Sequence, residues 1–115
     1  MLITSLAGAE PRTLASGVYT RDQASIGEDL YDAHCATCHE PDYFQGVFRS
    51  WSGVALDELF DVMAGTMPQS NPGSLLNAEY VQIFSYILEE NDFPAGEGAL
   101  SIYGLGFDEI MVVAP

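Results

Sequence analysis

The feature that most constrains this chain is the sequence Cys-Ala-Thr-Cys-His at positions 35–39. Cys35 and Cys38 are three residues apart, so one helical turn presents their thiols side by side. His39 follows immediately, which brings an imidazole to the same place. C-x-x-C-H is the pattern of c-type haem attachment, in which the cysteines bond to the haem vinyl groups. The motif therefore predicts one covalent haem c, with His39 as an iron ligand.

Other uses of two cysteines explain the motif less well. A structural zinc site needs four ligands, and the Cys and His residues of this chain form two adjacent pairs, 34–35 and 38–39, which are hard to arrange around one tetrahedral ion. A thioredoxin-type redox pair would lie in a β-α-β setting, whereas the hydrophobic spacing here is mainly helical. A disulfide across three residues would close almost no loop.

A haem in an electron carrier needs a second axial ligand, and Met67 is the best candidate among the four methionines. Pro68 disfavours the helical conformation at the residue before it, so Met67 is predicted to lie in a loop with its sulfur free to reach the iron. Met63 lies one turn earlier, where core packing is the simpler interpretation, and Met111 is a third candidate. The second histidine, His34, is discounted because it is tied to the proximal side.

Trp51 and Arg49 are further candidates for contacts with the haem. They lie in an aromatic-rich stretch, residues 40–54, which is predicted to be a loop that covers something apolar. Trp51 packs on the haem edge or donates its N–H to a propionate, or it simply packs in the core. Arg49 either pairs with a propionate or is a solvated arginine, and the solvated arginine is slightly favoured.

Hydrophobic periodicity predicts three main helices, over residues 21–36, about 56–64 and 77–90. Thr20 is the expected N-cap of the first helix, and Gln23 completes a capping box. Gly65 and Pro68 are expected to end the second helix. Asn77 is the expected N-cap of the third.

These elements predict an all-α fold with three regions: an N-terminal arm over residues 1–19, a helical domain over 20–96 and a C-terminal extension over 97–115 that packs on the domain. Residues 1–10 lack the basic start and the apolar run of an intact signal peptide. Either a signal was removed, or the chain is a piece of a longer protein.

The charge is strongly acidic, with 17 Asp and Glu against three Arg and a formal net charge of −14. Residues 50–115 contain ten acids and no base. Phosphates would repel this surface, which argues against nucleic acid and equally against an anionic membrane. No apolar stretch is long enough to cross a membrane. The charge favours a redox partner with a basic docking surface, or it serves solubility alone.

The chain resembles class I bacterial cytochromes c, including the small haem domains joined to or paired with periplasmic dehydrogenases. The resemblance covers about residues 18–96. It is carried by the following segments: 18–20 with 23–24, Gly27 and Tyr31, the motif at 35–39, Thr-Met-Pro at 66–68, Asn-Pro-Gly-Ser-Leu at 71–75, Tyr80 with 86–88 and Asn91, and Phe-Pro-Ala-Gly at 93–96.

The resemblance implies a cytochrome c fold around one haem, with the first and last helices crossing near Gly27, where a missing side chain lets them approach closely. It also implies haem attachment outside the cytoplasm and hence a periplasmic or secreted protein. Many relatives carry a Gly-Pro shortly after the motif, where backbone holds the proximal histidine. This chain has Gln-Gly-Val-Phe at 45–48 instead, which leaves open the acceptor for the second nitrogen of His39.

Two functions remain at this point. In the first, histidine and methionine saturate the iron, and the chain is an electron carrier and not an enzyme, either free or as a haem domain of a larger oxidoreductase. In the second, the sixth position is open or labile, and the chain is a catalytic or gas-sensing haem domain. The Met67-Pro68 pair favours the first. The sequence also has no distal His or Arg placed to act on bound peroxide.

Overall fold

The computed structural model describes residues 12–35, 40–103 and 107–115. The regular elements in these ranges are four α-helices: α1 (Arg21–His34), α2 (Phe44–Ser50), α3 (Leu56–Thr66) and α4 (Asn77–Glu90). Short 3₁₀ turns cover Leu14–Ser16, Pro41–Tyr43 and Phe107–Glu109. Within these ranges β-structure is limited to two isolated bridges. The prediction of an all-α chain is therefore confirmed for this part of the molecule, in which no helix is long and apolar enough to cross a membrane.

The start of α1 follows the predicted capping box. Thr20 Oγ1 accepts the Gln23 N–H at 3.2 Å, and Gln23 Oε1 accepts the Thr20 N–H at 3.1 Å. The Gln23 amide also exchanges two hydrogen bonds with the backbone of Leu100, at 2.8 and 2.9 Å. One side chain thus both begins the helix and fastens the C-terminal segment to it. The helix ends at His34, and Cys35 is its C-cap, with φ −125° and ψ −30°. The remainder of the predicted helix lies outside the described residues.

Helices α1 and α4 cross in direct backbone contact at Gly27. A Cβ on this buried residue would overlap the carbonyl oxygen of Gln82 on α4. Only glycine permits so close an approach, because any other side chain would push the two helices apart. The crossing expected near Gly27 is present, and it sets the orientation of α4 relative to the end of α1 that carries Cys35.

The prediction of a loop over residues 40–54 was wrong, because the stretch contains helix α2. Its apolar residues recur at helical spacing and lie on one face: Phe44, Val47, Phe48 and Trp51. Phe48 is fully buried and packs edge-on against the rings of Phe84 and Phe93, with centroids 6.2 and 5.2 Å apart. The aromatic side chains that marked this stretch as covering something apolar are the reason that it forms a helix.

Helix α3 is longer than predicted, because Gly65 lies within it and the helix continues to Thr66. Met67 then has extended backbone, with φ −121° and ψ 150°. This is the conformation that a following proline favours, so Pro68 and not Gly65 ends the helix. The prediction that Met67 leaves the helical conformation is confirmed.

Helix α4 begins as predicted, but its N-cap is Leu76 and not Asn77. The carboxylate of Glu79 accepts the Leu76 N–H at 2.9 Å and so performs the capping. The side chain of Asn77 instead donates to the hydroxyl of Tyr103, at 3.0 Å.

The end of the chain lies between the N-terminal segment and the residues before α3. Met111 bonds through its N–H to the Arg12 carbonyl at 2.9 Å, and its carbonyl accepts the Leu14 N–H at 3.1 Å. Val112 exchanges hydrogen bonds with Gly53 and Val54, each at 2.9 Å. Residues 110–112 thus join two parts of the chain that are far apart in sequence.

Candidate cofactor site

Two adjoining cavities lie between the helices, with volumes of about 480 and 650 Å³. Three side chains line both: Phe44, Met63 and Met67. Most of the other lining side chains are also apolar. The two cavities together form a single candidate site.

The first cavity brings together residues from opposite ends of the predicted haem site. Cys35 reaches it from the C-terminus of α1, and Met67 from the end of α3. Ile83 and Ile87 of α4 form an aliphatic wall. The cavity therefore has the thiol of Cys35 and the thioether of Met67 in its lining, with hydrocarbon beside them.

The second cavity lies between α2 and α3. Val47, Phe48 and Trp51 line it from α2, and Leu59 and Val62 from α3. Val62 is 47% exposed, so the lining of this cavity reaches the surface. Helix α2 is therefore a wall of the candidate site.

Met67 is held in place through its backbone. Its N–H donates to the Met63 carbonyl at 3.0 Å, which completes the last turn of α3. Its carbonyl accepts the hydroxyl of Tyr80 at 2.7 Å, and Tyr80 Oη in turn accepts the Leu75 N–H at 3.3 Å. The backbone of Met67 is thereby fixed, while its thioether side chain lines the first cavity.

The segment that follows Met67 is a compact turn. The Asn71 N–H donates to the Pro68 carbonyl at 2.9 Å, and the Ser74 N–H to the Asn71 carbonyl at 3.3 Å. Gly73 has φ 73°, a left-handed conformation that glycine adopts without strain. This turn returns the chain from α3 to α4, and its residues Pro68, Gln69 and Leu75 line the first cavity.

Some predicted site residues line the cavities, as Cys35 does, some line neither cavity, and two lie outside the described residues. Met63, Met67 and Trp51 line the cavities, and so does His34. Arg49 is exposed and lines neither cavity. Met111, 39% exposed, hydrogen-bonds to the N-terminal segment and also lines neither.

Two predicted residues, Cys38 and His39, lie outside the described residues. Their part in the site therefore remains a prediction from the motif.

A haem fits the residues that are present. The site is apolar, it contains a thiol from the attachment motif, and it contains two thioethers, a ligand type that haem iron accepts. A buried oxygen, Oδ1 of Asn91, also has no donor among the described residues. An apolar cavity with sulfur donors suits a macrocycle better than it suits a polar substrate.

Tyrosines and carboxylates surround the C-terminal ends of α1 and α4. Burial raises the pKa of Tyr86, and the carboxylates of Glu90, Glu28 and Asp32 raise it further. Burial likewise raises the pKa of Tyr31, whose ring lies 5.3 Å from that of Tyr86. Both phenols are therefore neutral at physiological pH.

Tyr80 and Asn91 carry the family resemblance in the sequence, but the hydrogen bonds that they make were not predicted. Tyr80 is a buried residue of α4, where its position is that of an ordinary core side chain. Its hydroxyl partner is 13 residues away, and the Pro41 partner of Asn91 is 50 residues away. No local sequence signal indicates either hydrogen bond.

No protein-family model, no curated protein and no solved structure matches this chain. Support for a function therefore comes from the motif and from the geometry of the cavities.

Proposed function

We propose that this chain is an electron-transfer protein of the class I cytochrome c type, with one covalent haem. Cys35 and Cys38 would form the thioether bonds, and His39 and Met67 would be the axial ligands. The observation that carries the proposal is that Cys35 and Met67, 32 positions apart in sequence, line the same apolar cavity. A haem with histidine and methionine ligands exchanges one electron between ferric and ferrous iron and offers no open position to a substrate.

The chain's own residues would serve such a carrier in three ways. Ile83, Ile87 and Leu75 exclude water from the cavity that they line. Tyr80 fixes the backbone of Met67 and would help to hold its thioether as a ligand for the iron. The neutral phenols of Tyr31 and Tyr86 place no charge at the end of α1.

The setting follows from the same proposal. Covalent haem attachment outside the cytoplasm, which the resemblance implies, would make this a periplasmic or secreted carrier. Its partners would be redox proteins, and the net charge of −14 favours a basic docking surface on them. The chain would be either free-standing or the haem domain of a larger oxidoreductase.

The first test is covalent attachment. The protein is expressed with a c-type haem maturation system, denatured and extracted with acidified acetone. We expect the haem to stay with the polypeptide. Haem that leaves with the solvent would refute thioether attachment.

The second test concerns the sixth ligand, because Met63 and Met67 both line the first cavity. Met67→Ala should abolish the sulfur-to-iron charge-transfer band of the oxidised protein and lower the reduction potential. Met63→Ala is the matched control, since it removes the same side chain one turn earlier. Loss of the band in Met63→Ala alone would assign the ligand to Met63.

A further inference from the structure

The second cavity of the candidate site reaches the surface of the protein at an opening that is largely apolar. Three of its lining residues are exposed: Tyr43, which directly precedes α2, and Val62 and Thr66 on α3. Tyr43 is 54% exposed and Val62 is 47% exposed. Exposed apolar side chains that lie together, and not singly, are a mark of contact surfaces. The opening, defined by these three residues, therefore joins a surface patch to the interior of the site.

Exposed carboxylates accompany the opening along the chain. Asp61 directly precedes Val62 on α3, and Glu58 is four residues before Val62, so that Glu58 and Val62 are neighbours on one side of the helix. Asp42 directly precedes Tyr43. All three carboxylates are exposed, and α3 contains no basic residue. The surface on which the opening lies is therefore acidic.

Helix α2 has one basic residue, Arg49, on the side that faces away from the cavity. Val47 and Trp51 line the second cavity from α2, and Arg49 is two residues from each, which is a rotation of about 200° around a helix. Arg49 lines neither cavity. The side of α2 that meets the opening therefore adds no positive charge to it.

The sign of this surface limits what it binds. A second copy of the chain would bring its own carboxylates to the contact, and a net charge of −14 on each copy makes that contact repulsive. A protein with a basic surface is attracted instead. Electron tunnelling between proteins falls steeply with distance, so a redox partner exchanges electrons fastest where the cofactor cavity reaches the surface. Charge and distance therefore indicate the same contact.

We propose that the redox partner docks at this opening, and that it presents basic side chains around an apolar centre. The inference rests on the proposed electron-transfer function and adds the location of the contact. Val62 and Tyr43 would meet the apolar centre of the partner, and the three carboxylates would meet its basic side chains. The carboxylates attract and orient the partner, while the apolar contact brings it close to the cofactor cavity.

Tris(phenanthroline)cobalt(III) is a suitable probe, because it is tripositive, aromatic and a one-electron oxidant. The reduced haem protein passes one electron to it, so that iron goes from ferrous to ferric and cobalt from Co(III) to Co(II). At an ionic strength of about 0.1 M, charges act over about 10 Å. We expect the double variant Glu58→Lys, Asp61→Lys to slow the reaction about tenfold under these conditions, and Val62→Lys to slow it as well. Stopped-flow absorbance of the haem measures the rates.

The matched control is the double variant Glu28→Lys, Asp29→Lys. Both residues are exposed on α1, which contributes no residue to the second cavity. The change in net charge is the same in the two double variants, so only its location differs. We expect the control to slow the reaction by less than about twofold, because a charge farther than about 10 Å from the docked probe is largely screened.

A measurement on the wild-type haem protein covers the case in which a variant does not fold. Tris(phenanthroline)chromium(III) has the same shape and charge as the cobalt complex, is paramagnetic and is a much weaker oxidant. It should broaden the backbone amide signals of residues 42–43 and 58–66 in the reduced, ¹⁵N-labelled protein before it broadens those of α1.

The outcomes distinguish this inference from the proposed function. Equal slowing by the two double variants would overturn the inference, and so would an unchanged rate in Glu58→Lys, Asp61→Lys. Broadening that begins elsewhere would do the same. A wild-type dimer in sedimentation equilibrium that Val62→Lys dissociates would assign the opening to a second copy and would also overturn it. A chain that takes up no covalent haem would refute the proposed function instead.

Discussion

Tyr80 donates its hydroxyl hydrogen to the carbonyl oxygen of Met67 over 2.7 Å. The bond joins the first turn of α4 to the C-cap residue of α3. The same hydroxyl oxygen accepts the N–H of Leu75, so one buried phenol closes both ends of the turn over residues 67–75. The rigidity of the methionine side of the site therefore depends on a residue outside that turn.

Tyr80→Phe should loosen this turn while keeping the ring in the core. We expect a loss of about 1–2 kcal/mol in the free energy of unfolding, because the Met67 carbonyl and the Leu75 N–H lose a partner. We also expect the reduced haem protein to bind carbon monoxide faster than wild type, since the thioether is displaced more easily. Tyr103→Phe is the control, as its side chain is 82% exposed and should change neither quantity appreciably. Soret-band kinetics and urea unfolding measure the two effects.

The wild-type result of the same experiment decides between the two functions. If Met67 closes the iron site, the reduced wild-type protein should bind carbon monoxide slowly or not at all at neutral pH. Fast and complete binding would mean an accessible iron, and it would favour a catalytic or gas-sensing haem domain.

Gly27→Ala should be among the most destabilising substitutions in this chain. The added methyl group would overlap the backbone of Gln82, and backbone yields less easily than a flexible side chain, so we expect a cost of about 3 kcal/mol or more. Gly65→Ala is the matched control, because Gly65 lies in α3 and a methyl group added there would meet no neighbouring group within 4 Å. It should stabilise the protein by about 0.5–1 kcal/mol. Similar losses in both variants would contradict the role of the α1–α4 crossing.

Tyr19 should make the protein sensitive to alkaline pH. Its buried hydroxyl donates to the Phe93 carbonyl at 2.6 Å. Burial, reinforced by Glu89 and opposed by Arg21, raises the pKa of Tyr19 to about 12, whereas an unfolded tyrosine has a pKa of about 10. Between these values the unfolded chain loses a proton that the folded chain keeps, so this contribution to stability is complete below about pH 10 and falls as pH rises toward about 12.

Tyr19→Phe tests this linkage. The variant should lose about 1 kcal/mol at neutral pH from the missing hydrogen bond. Its stability should then decline less steeply than that of wild type between about pH 10 and pH 12. Urea unfolding at neutral pH and across that alkaline range measures the two effects. Parallel declines in the two proteins would show that the pKa of Tyr19 is the same in the folded and unfolded states.

If the chain is the proposed electron carrier, its electron exchange with a basic redox partner should slow as ionic strength rises. The chain has a formal net charge of −14, and residues 50–115 contain no positive side chain, so attraction to a basic partner would be screened by salt. Stopped-flow rates over a series of salt concentrations measure the dependence. A rate that is flat or that rises with salt would show that the acidity serves solubility instead.

Several features of the fold could be predicted from the sequence because their causes are local. The Thr20–Gln23 capping box acts over three residues, and Pro68 acts on the residue directly before it. The all-helical character follows from apolar spacing, and the prediction of a covalent haem follows from a motif of five residues. In each case the partners are close in the chain, so their interaction does not depend on how the rest of the molecule packs.

Packing determines which residues that are distant in the chain come into contact. The sequence alone does not reveal these contacts. Helix α2 has seven residues, too few to form without packing, so its ring contacts with Phe84 and Phe93 determine it. The exposure of Arg49, on the same helix, follows from which face of α2 turns inward. The bonds of Tyr80 to Met67 and of Asn91 to Pro41 join chain positions that the α1–α4 crossing and the buried aromatic core bring together. A buried hydroxyl or amide must find a partner, but which partner it finds is a consequence of packing.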